Sequence, residues 1–260
     1  MRSDFKYIKV DRHGHTIIVT IDYPPVNATH PDVVDEIREA AEAVEEDFSV
    51  RSFILTATGR CFVGGGDIKF FLTLGPETAE KMALQVQKMQ AALHYSRVPV
   101  IVAVNGHAIG GGLELVMACD IAIAEEHAMF GLAEVRLGLI PGAGGTRMLC
   151  RMIPRGTAKR MLFTGMRITA ARAAELGLVD EVVPTGQALE AALALAAEIN
   201  ACGPVAVAAA KKSAIYGLDH SLDEAHRREV ELFGPLFRTS DHREGIDAFF
   251  ERRPPVFEGR

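Results

Sequence analysis

Short apolar runs alternate with longer amphipathic segments through the first half of the chain. Apolar runs rich in β-branched residues predict strands, at 5–10, 16–22, 52–59, 98–106 and 121–124. Apolar residues at helical spacing predict two helices between these strands, at 32–47 and 77–96. Because strands alternate with helices, the pattern favours an α/β fold of stacked, repeated ββα units over an antiparallel sandwich.

The pattern changes near residue 155, where it becomes one predicted helix after another. These helices are 155–163, 169–176, 187–201, 204–217, 222–237 and 242–251. We place a boundary at the sequence INACGP. The boundary divides the chain into a core at 1–200, which we expect to carry binding and catalysis, and a helical C-terminal region at 201–260.

A first hairpin is predicted where His13, Gly14 and His15 separate the two strands at the start of the chain. The spacing of the two histidines could suggest a metal site. They lie at a turn, however, without a cysteine or an acidic cluster nearby, so solvated histidines are the better interpretation. Since the chain also has no HExxH motif and no CxxC pair, we expect no metal.

Composition limits the class of protein. The chain has 260 residues, of which 48% are hydrophobic and 24% charged, as in an ordinary globular protein with a substantial core. Its net charge of −6 gives no basic field for nucleic acid or an anionic membrane, although a local basic pocket stays open. The four cysteines are scattered, and there is neither a signal-like apolar region nor a run of about 18 apolar residues. We expect a cytoplasmic protein, but a trimmed organellar chain would look similar.

Two glycine clusters, Gly64–Gly66 and Gly110–Gly112, each follow an apolar run. Neither fits GxGxxG, because the third glycine would fall on Lys69 or Leu115, and no GxxxxGK[ST] motif occurs. One cluster alone would more often mark only a tight turn. Two clusters favour a pair of backbone N–H donors that converge on one oxygen, the second at a helix start where the dipole favours an anion.

Two glutamates flank the second cluster. Glu114 lies among apolar neighbours at the predicted helix start, where its pKa is expected to be raised. Alone, it could simply stabilise the helix dipole, and Glu134 could be a surface acid beside Arg136. Together with the backbone donors, two carboxylates are the groups needed to polarise a carbonyl and to move protons beside it.

Four segments carry a resemblance to a known family: AVNGHAIGGGLELVMACDIAIAEEHAMFGLAEVR, CFVGGGDIKFF, IPGAGGTRML and FTGMRITAARAAELGLVDEVV. In combination they resemble the crotonase (enoyl-CoA hydratase/isomerase) superfamily, and most closely its enoyl-CoA hydratases. The resemblance implies a crotonase (ClpP/crotonase-like) fold with a helical C-terminal trimerisation region. It also implies that Gly66 and Gly111 form the oxyanion hole and that Glu114 and Glu134 are catalytic. The chain has glycine at 64 and 66, where the family often has alanine.

The function implied is reversible addition of water across the 2,3 double bond of a trans-2-enoyl-CoA, giving a 3-hydroxyacyl-CoA, in fatty acid metabolism. Glu114 would help to activate water for attack at C3, and Glu134 would supply the proton at C2. No cofactor is expected, because coenzyme A arrives as part of the substrate. The expected substrate-binding residues are Gly64, Gly65, Gly66, Asp67, Ile68, Lys69, Gly110 and Gly111.

Several alternatives stay open at this point. Enoyl-CoA isomerisation would use the same fold and thioester, and a non-catalytic acyl-CoA- or RNA-binding protein would use the same fold without turnover. The resemblance implies a homotrimer or a homohexamer (a dimer of trimers), and the apolar C-terminal helices are consistent with one. Neither acyl-chain length nor pathway follows from the residues.

Overall fold

Two β-sheets lie at the centre of the molecule, and the computed structural model describes them within residues 4–260. The six-stranded sheet has, in spatial order, β1 (Ile8–His13), β2 (Thr16–Ile21), β3 (Ser52–Ala57), β5 (Val100–Val104), β7 (Ile121–Glu125) and β10 (Glu181–Val183). The four-stranded sheet has β4 (Cys61–Val63), β6 (His107–Ile109), β8 (Met129–Gly131) and β9 (Arg167–Thr169). Only the β1–β2 and β8–β9 pairs of these two sheets are antiparallel.

Successive strands of the chain alternate between the sheets. In the pairs β3–β4, β5–β6 and β7–β8, the first strand joins the six-stranded sheet and the second joins the four-stranded sheet. Cys61 pairs with His107, and Ala108 with Phe130, in parallel register. Because β4, β6 and β8 are parallel neighbours, their carboxyl ends meet at one edge of the smaller sheet.

Helices cover the sheets and follow them in the chain. Their bounds are α1 (Pro31–Ala43), α2 (Ile68–Phe71), α3 (Pro76–His94), α4 (Gly111–Ala118), α5 (Gly145–Met152), α6 (Arg155–Thr164), α7 (Ala170–Glu175), α8 (Ala188–Asn200), α9 (Pro204–Asp219), α10 (Leu222–Leu236) and α11 (Ser240–Glu251), with a 3-10 helix at Glu134–Leu137. Alanines of α8 pack on one face of the six-stranded sheet, against Ile54, Ile101 and Ile123. The larger apolar core fills the other face and the space between the sheets.

The long elements lie where the hydrophobic pattern predicts them, and the stacked ββα arrangement is confirmed. The prediction of helices alone after residue 155 was wrong, because β9 and β10 lie there. Each of these strands has three residues, too few to show a period of two. The first strand runs to His13 rather than ending at residue 10, because hairpin pairing continues to the His13–Thr16 pair. The turn is therefore Gly14 and His15.

The C-terminal helices are attached to the core by polar contacts. The Lys211 ammonium of α9 lies 2.6 Å from the Asp120 carboxylate and donates to the carbonyl oxygen of Val98 at 2.9 Å. Arg51 donates to the carbonyl oxygens of Asn200 and Phe257 at 2.8 and 2.6 Å. Neither α9 nor α10 has a fully buried residue. The division into 1–200 and 201–260 stays a prediction, and residues 1–3 lie outside the described residues.

Between residues 4 and 260, no single helix is long and apolar enough to cross a membrane. The pair α8 and α9 would reach that length and composition only together, and the two helices are bent by 108° relative to each other.

Candidate active site

Three loops meet at the edge of the four-stranded sheet where β4, β6 and β8 end. A methyl group added at Gly110 would lie 3.6 Å from the Cα of Gly65 and 2.8 Å from Oε1 of Glu134. One added at Gly112 would collide with the carbonyl oxygen of Val63. The second glycine cluster thus lies directly against the first cluster and against Glu134, as the sequence predicts for converging donors.

Gly110 has the backbone conformation φ 55°, ψ −124°, which is accessible in practice to glycine alone. Its N–H donates to the carbonyl oxygen of Gly131 at 2.8 Å, so that β8 fixes the start of the turn into α4. A side chain at position 110 is excluded for two reasons: the backbone dihedral angles disfavour it, and the carboxyl group of Glu134 occupies the space it would need.

The amides of Gly66 and Gly111 are free to bind a ligand. Within residues 4–260, neither N–H donates a hydrogen bond to the protein. Gly111 is the first residue of α4, where an N–H has no partner inside the helix and the dipole favours an anionic oxygen. Two free N–H donors on adjoining segments are the kind of groups that bind a carbonyl oxygen.

Glu114 lies in the first turn of α4 with only 3% of its surface exposed. Its Oε1 accepts hydrogen bonds from the N–H groups of Ala143 and Gly145, both at 2.8 Å. Burial raises the pKa of this carboxyl, and the two hydrogen bonds partly oppose that rise. The two donors fix the orientation of the carboxylate and leave its other oxygen, Oε2, for chemistry.

The two amides that hold Glu114 were not identified from the sequence as site residues. The signal was present, since the Gly-rich turn before α5 opens a helix whose first N–H groups need acceptors. What the sequence could not show is that this turn lies against Glu114.

Glu134 begins the 3-10 helix that follows β8. Its Oε2 is buried and has no hydrogen-bond partner among residues 4–260. Burial raises the pKa of this carboxyl to about 7, and the nearby charge of Glu114 adds to the rise. A carboxyl group with its pKa in this range can give or take a proton near neutral pH.

The remaining residues predicted to bind substrate lie beside the free amides. Asp67 caps α2, with Oδ1 accepting from the N–H groups of Lys69 at 3.0 Å and Phe70 at 3.1 Å. Ile68 is 49% exposed, and Lys69 is also exposed. The stretch is thus a capped turn with solvent-facing side chains, and its contact with a substrate stays a prediction.

Thr29 adjoins both glycine clusters and was missed, because the apolar pattern marks its surroundings only as a loop. It is buried, and its backbone N–H donates to the carbonyl oxygen of Gly65 at 2.9 Å. No pattern in the sequence indicates this contact.

A large cavity lies elsewhere in the molecule. A space of about 1140 Å³ separates α9 from the carboxyl ends of α4 and α5, and its lining includes Met117, Cys119, Met148 and Leu218. Neither Glu114 nor Glu134 lines it. The arrangement of donors and carboxyl groups, rather than cavity size, therefore identifies the site. Within residues 4–260, no group of three or more His, Cys, Asp or Glu side chains is placed to hold a metal ion.

Comparison with known proteins agrees with this geometry. The family model described as enoyl-CoA hydratase/isomerase matches residues 12–260. The chain is 38% identical over 250 residues to the putative enoyl-CoA hydratase/isomerase YngF of Bacillus subtilis, covering 95% of this chain and 96% of that protein. It is 37% identical over 255 residues to the crotonyl-CoA hydratase of Syntrophomonas wolfei, covering 97% and 98%.

Among solved structures, the enoyl-CoA hydratase of Bacillus anthracis superposes with a TM-score of 0.95 at 34% identity, covering 98% of this chain and all of that one. The chain belongs to the enoyl-CoA hydratase/isomerase family, and the crotonase fold expected from the sequence is confirmed.

Proposed function

We infer that the protein is an enoyl-CoA hydratase, a hydro-lyase that adds water reversibly across the 2,3 double bond of a trans-2-enoyl-CoA. The product would be a 3-hydroxyacyl-CoA. Relatives of similar length along the whole chain carry hydratase names. The observation that carries the proposal is the pairing of two free backbone amides with two carboxyl groups of raised pKa, one buried (Glu114) and one half-buried (Glu134).

The thioester carbonyl would accept hydrogen bonds from the amides of Gly66 and Gly111. As C3 is attacked, negative charge develops on this oxygen, and donors that are already in place stabilise it. Such a donor is worth about 3–4 kcal/mol in other oxyanion holes.

The two carboxyl groups would divide the proton transfers. Glu114, with Oε1 held by two amides, would use Oε2 to help activate water for attack at C3. Glu134, whose pKa is raised to about 7, would supply the proton at C2. Both assignments are supported by burial, which keeps each carboxyl basic enough to accept a proton and acidic enough to return it near neutral pH.

The acyl-CoA would lie along residues 64–69 and Gly110, and coenzyme A would be part of the substrate rather than a separate cofactor. The proposal is tested by incubation with crotonyl-CoA while the absorbance of the conjugated enoyl thioester is recorded. Loss of that absorbance and formation of the 3-hydroxyacyl-CoA are expected, whereas saturated butyryl-CoA should be unchanged.

A panel of enoyl-CoA chain lengths would identify the preferred substrate. A trans-3-enoyl-CoA in the same assay reveals isomerisation. Faster conversion of the 3-enoyl than of any 2-enoyl substrate would contradict the hydratase assignment. Binding without turnover of any substrate would contradict both reactions.

We also propose that the chain assembles as a homotrimer or a homohexamer through its C-terminal helices. Large apolar side chains of this region are exposed in the single chain: Leu218, Leu222, Val230, Phe233, Phe237, Ile246, Phe249, Phe250 and Val256. A high density of large exposed apolar side chains of this kind favours contact with another subunit. Light scattering would contradict the proposal by showing an active species of 28.1 kDa.

We further propose that the protein is cytoplasmic. It is supported by four free cysteines, which suit a reducing compartment. Cell fractionation would test it, and recovery of the protein with organelles or membranes would contradict it.

A further inference from the structure

A single side chain, Thr29, contacts the loops of both proposed carbonyl-binding amides. It lies between β2 and α1 and is only 6% exposed. Its backbone forms an isolated parallel bridge with Gly66. Its N–H donates to the carbonyl oxygen of Gly65 at 2.9 Å, and its hydroxyl Oγ1 donates to the same oxygen at 3.4 Å.

Holding the carbonyl of Gly65 fixes the direction of the Gly66 N–H. The two groups belong to one planar trans peptide unit and point in opposite directions. Gly65 has φ 123°, a conformation in which glycine is free and other residues are strained, so the loop has little intrinsic rigidity. Two hydrogen bonds from Thr29 to one oxygen supply the restraint that the glycines cannot.

The same side chain also packs on the second donor. A methyl group added at Gly111 would lie 3.1 Å from Oγ1 of Thr29 and 3.3 Å from its Cγ2. Thr29 therefore occupies the space between the peptide that ends in the Gly66 N–H and the residue that carries the other N–H. The separation of the two donors depends on this side chain, and both donors must lie about 2.7–3.1 Å from one oxygen to act together.

We propose that Thr29 is a positioning residue of the oxyanion hole, acting through the Gly65–Gly66 peptide and through Gly111 rather than on the substrate. The proposal rests on the function inferred above. Loss of the Thr29 hydroxyl should therefore weaken stabilisation of the developing enolate oxygen and have little effect on binding of the coenzyme A portion.

The test compares Thr29→Val, which keeps the shape and removes the hydroxyl, with Thr29→Ser, which keeps the hydroxyl. With crotonyl-CoA, we expect kcat to fall about tenfold in Thr29→Val, the scale of one hydrogen bond lost from a transition state, with KM changed less than twofold. Thr29→Ser should keep most of the wild-type kcat. A second readout is the carbonyl stretching frequency of a bound enoyl-CoA, whose downshift should shrink in Thr29→Val and persist in Thr29→Ser.

Thr56→Val is the matched control. Thr56 is a buried threonine of β3 whose hydroxyl also donates to a backbone carbonyl, that of Ala103, at 2.9 Å. It should lose stability without changing kcat or the carbonyl frequency. An unchanged kcat and frequency in folded Thr29→Val would overturn the proposal, and so would equal losses in Thr29→Val and Thr29→Ser.

If Thr29→Val does not fold, Thr29→Ala and Thr29→Ser carry the same comparison without adding atoms. The downshift of the carbonyl stretching frequency should be lost in Thr29→Ala and kept in Thr29→Ser. Equal downshifts in the two variants would overturn the proposal. Absence of hydration by the wild-type protein would refute the proposed function instead, because the carbonyl frequency of bound thioester still reports on Thr29 without turnover.

Discussion

The two sheets of this molecule differ in strand length, in burial and in their position relative to the candidate site. In the six-stranded sheet, strands β2, β3 and β5 have five or six residues each, almost all of them buried, and they contribute to the apolar core. The four-stranded sheet has strands of only three residues, and the free amides and both carboxyl groups lie at or just beyond its carboxyl edge. Stability and chemistry are therefore separable here, although consecutive strands of the chain build both.

The largest expected effect lies at the edge of the small sheet. Glu114→Gln and Glu134→Gln keep the size of each side chain and remove proton transfer, so each should lower kcat roughly 10²- to 10⁴-fold. Binding of butyryl-CoA, measured by calorimetry, should change much less, and so should the unfolding midpoint. A near-normal kcat in either variant would remove that glutamate from the mechanism.

A substitution in the core of the six-stranded sheet should lower stability and leave kcat unchanged. Ile54 is fully buried between this sheet and α8, so Ile54→Ala should lower the free energy of unfolding by about 2–5 kcal/mol. Urea denaturation measures that loss, while kcat per folded molecule should stay at the wild-type value. Ile54→Val is the graded control, with an expected loss of about 0.5–1.5 kcal/mol. A kcat that falls in proportion to stability would mean that the two sheets are not separable.

Two glycines with similar φ values, one at the site and one far from it, sharpen the comparison between stability and activity. Gly110 (φ 55°) lies against the Glu134 carboxyl group, whereas a methyl group at Gly14 (φ 59°) in the first hairpin would meet nothing within 4 Å. Gly14→Ala should cost about 1 kcal/mol in unfolding free energy because of its positive φ, and Gly110→Ala about 1–3 kcal/mol because its φ and ψ are accessible in practice to glycine alone. Only Gly110→Ala should also lower kcat, by up to about 10²-fold, because it displaces Glu134. Equal kcat values in the two variants would show that the approach of Glu134 to Gly110 is unimportant.

The smallest expected effect is on the pH dependence of stability. The pKa of Glu134 rises from 4.5 in the unfolded chain to about 7 in the folded one, so the folded state binds this proton more tightly. Its contribution to stability is therefore complete below about pH 4.5 and is lost as the pH rises through 7.

Glu134→Gln has no such titration, so the wild-type protein should lose stability relative to this variant between pH 5 and 8. Urea denaturation across that range measures the difference, with the exposed substitution Glu80→Gln as the baseline for removing one carboxylate. Parallel plots of unfolding free energy against pH for the wild type and Glu134→Gln would contradict a raised pKa of Glu134.

The same division between sheets explains what the sequence could predict. Long buried strands such as Thr16–Ile21 and Ser52–Ala57 leave a continuous apolar signal, so these strands of the larger sheet are predictable from the pattern alone, whereas its three-residue strand β10 was missed. The three-residue strands are defined by their partners, and CFV or HAI has no periodicity of its own. Their pairing order, and therefore which loops meet, depends on long-range packing that local patterns do not encode.

At the site, the glycines and glutamates were candidates because their residue types are unusual for their positions, and their roles stay predictions. A glutamate among leucines and three consecutive glycines both need an explanation beyond secondary structure. Thr29 was not predictable, and neither was the contact between the amide of Ala143 and Glu114. A threonine in a loop and a backbone N–H are ordinary features, and only their distances to Gly65 and Glu114 give them significance.

The proposed use of main-chain groups as carbonyl-binding donors has an evolutionary consequence. An N–H of Gly66 or Gly111 survives almost any codon change except one to proline, whereas a single base change can remove either glutamate. The activation of a thioester is therefore the durable part of this architecture, and the carboxyl groups are its replaceable part. A descendant that lost Glu114 or Glu134 would still polarise the same carbonyl. Such a descendant would be a weak catalyst that still activates the thioester, from which another reaction on the same class of molecule could evolve.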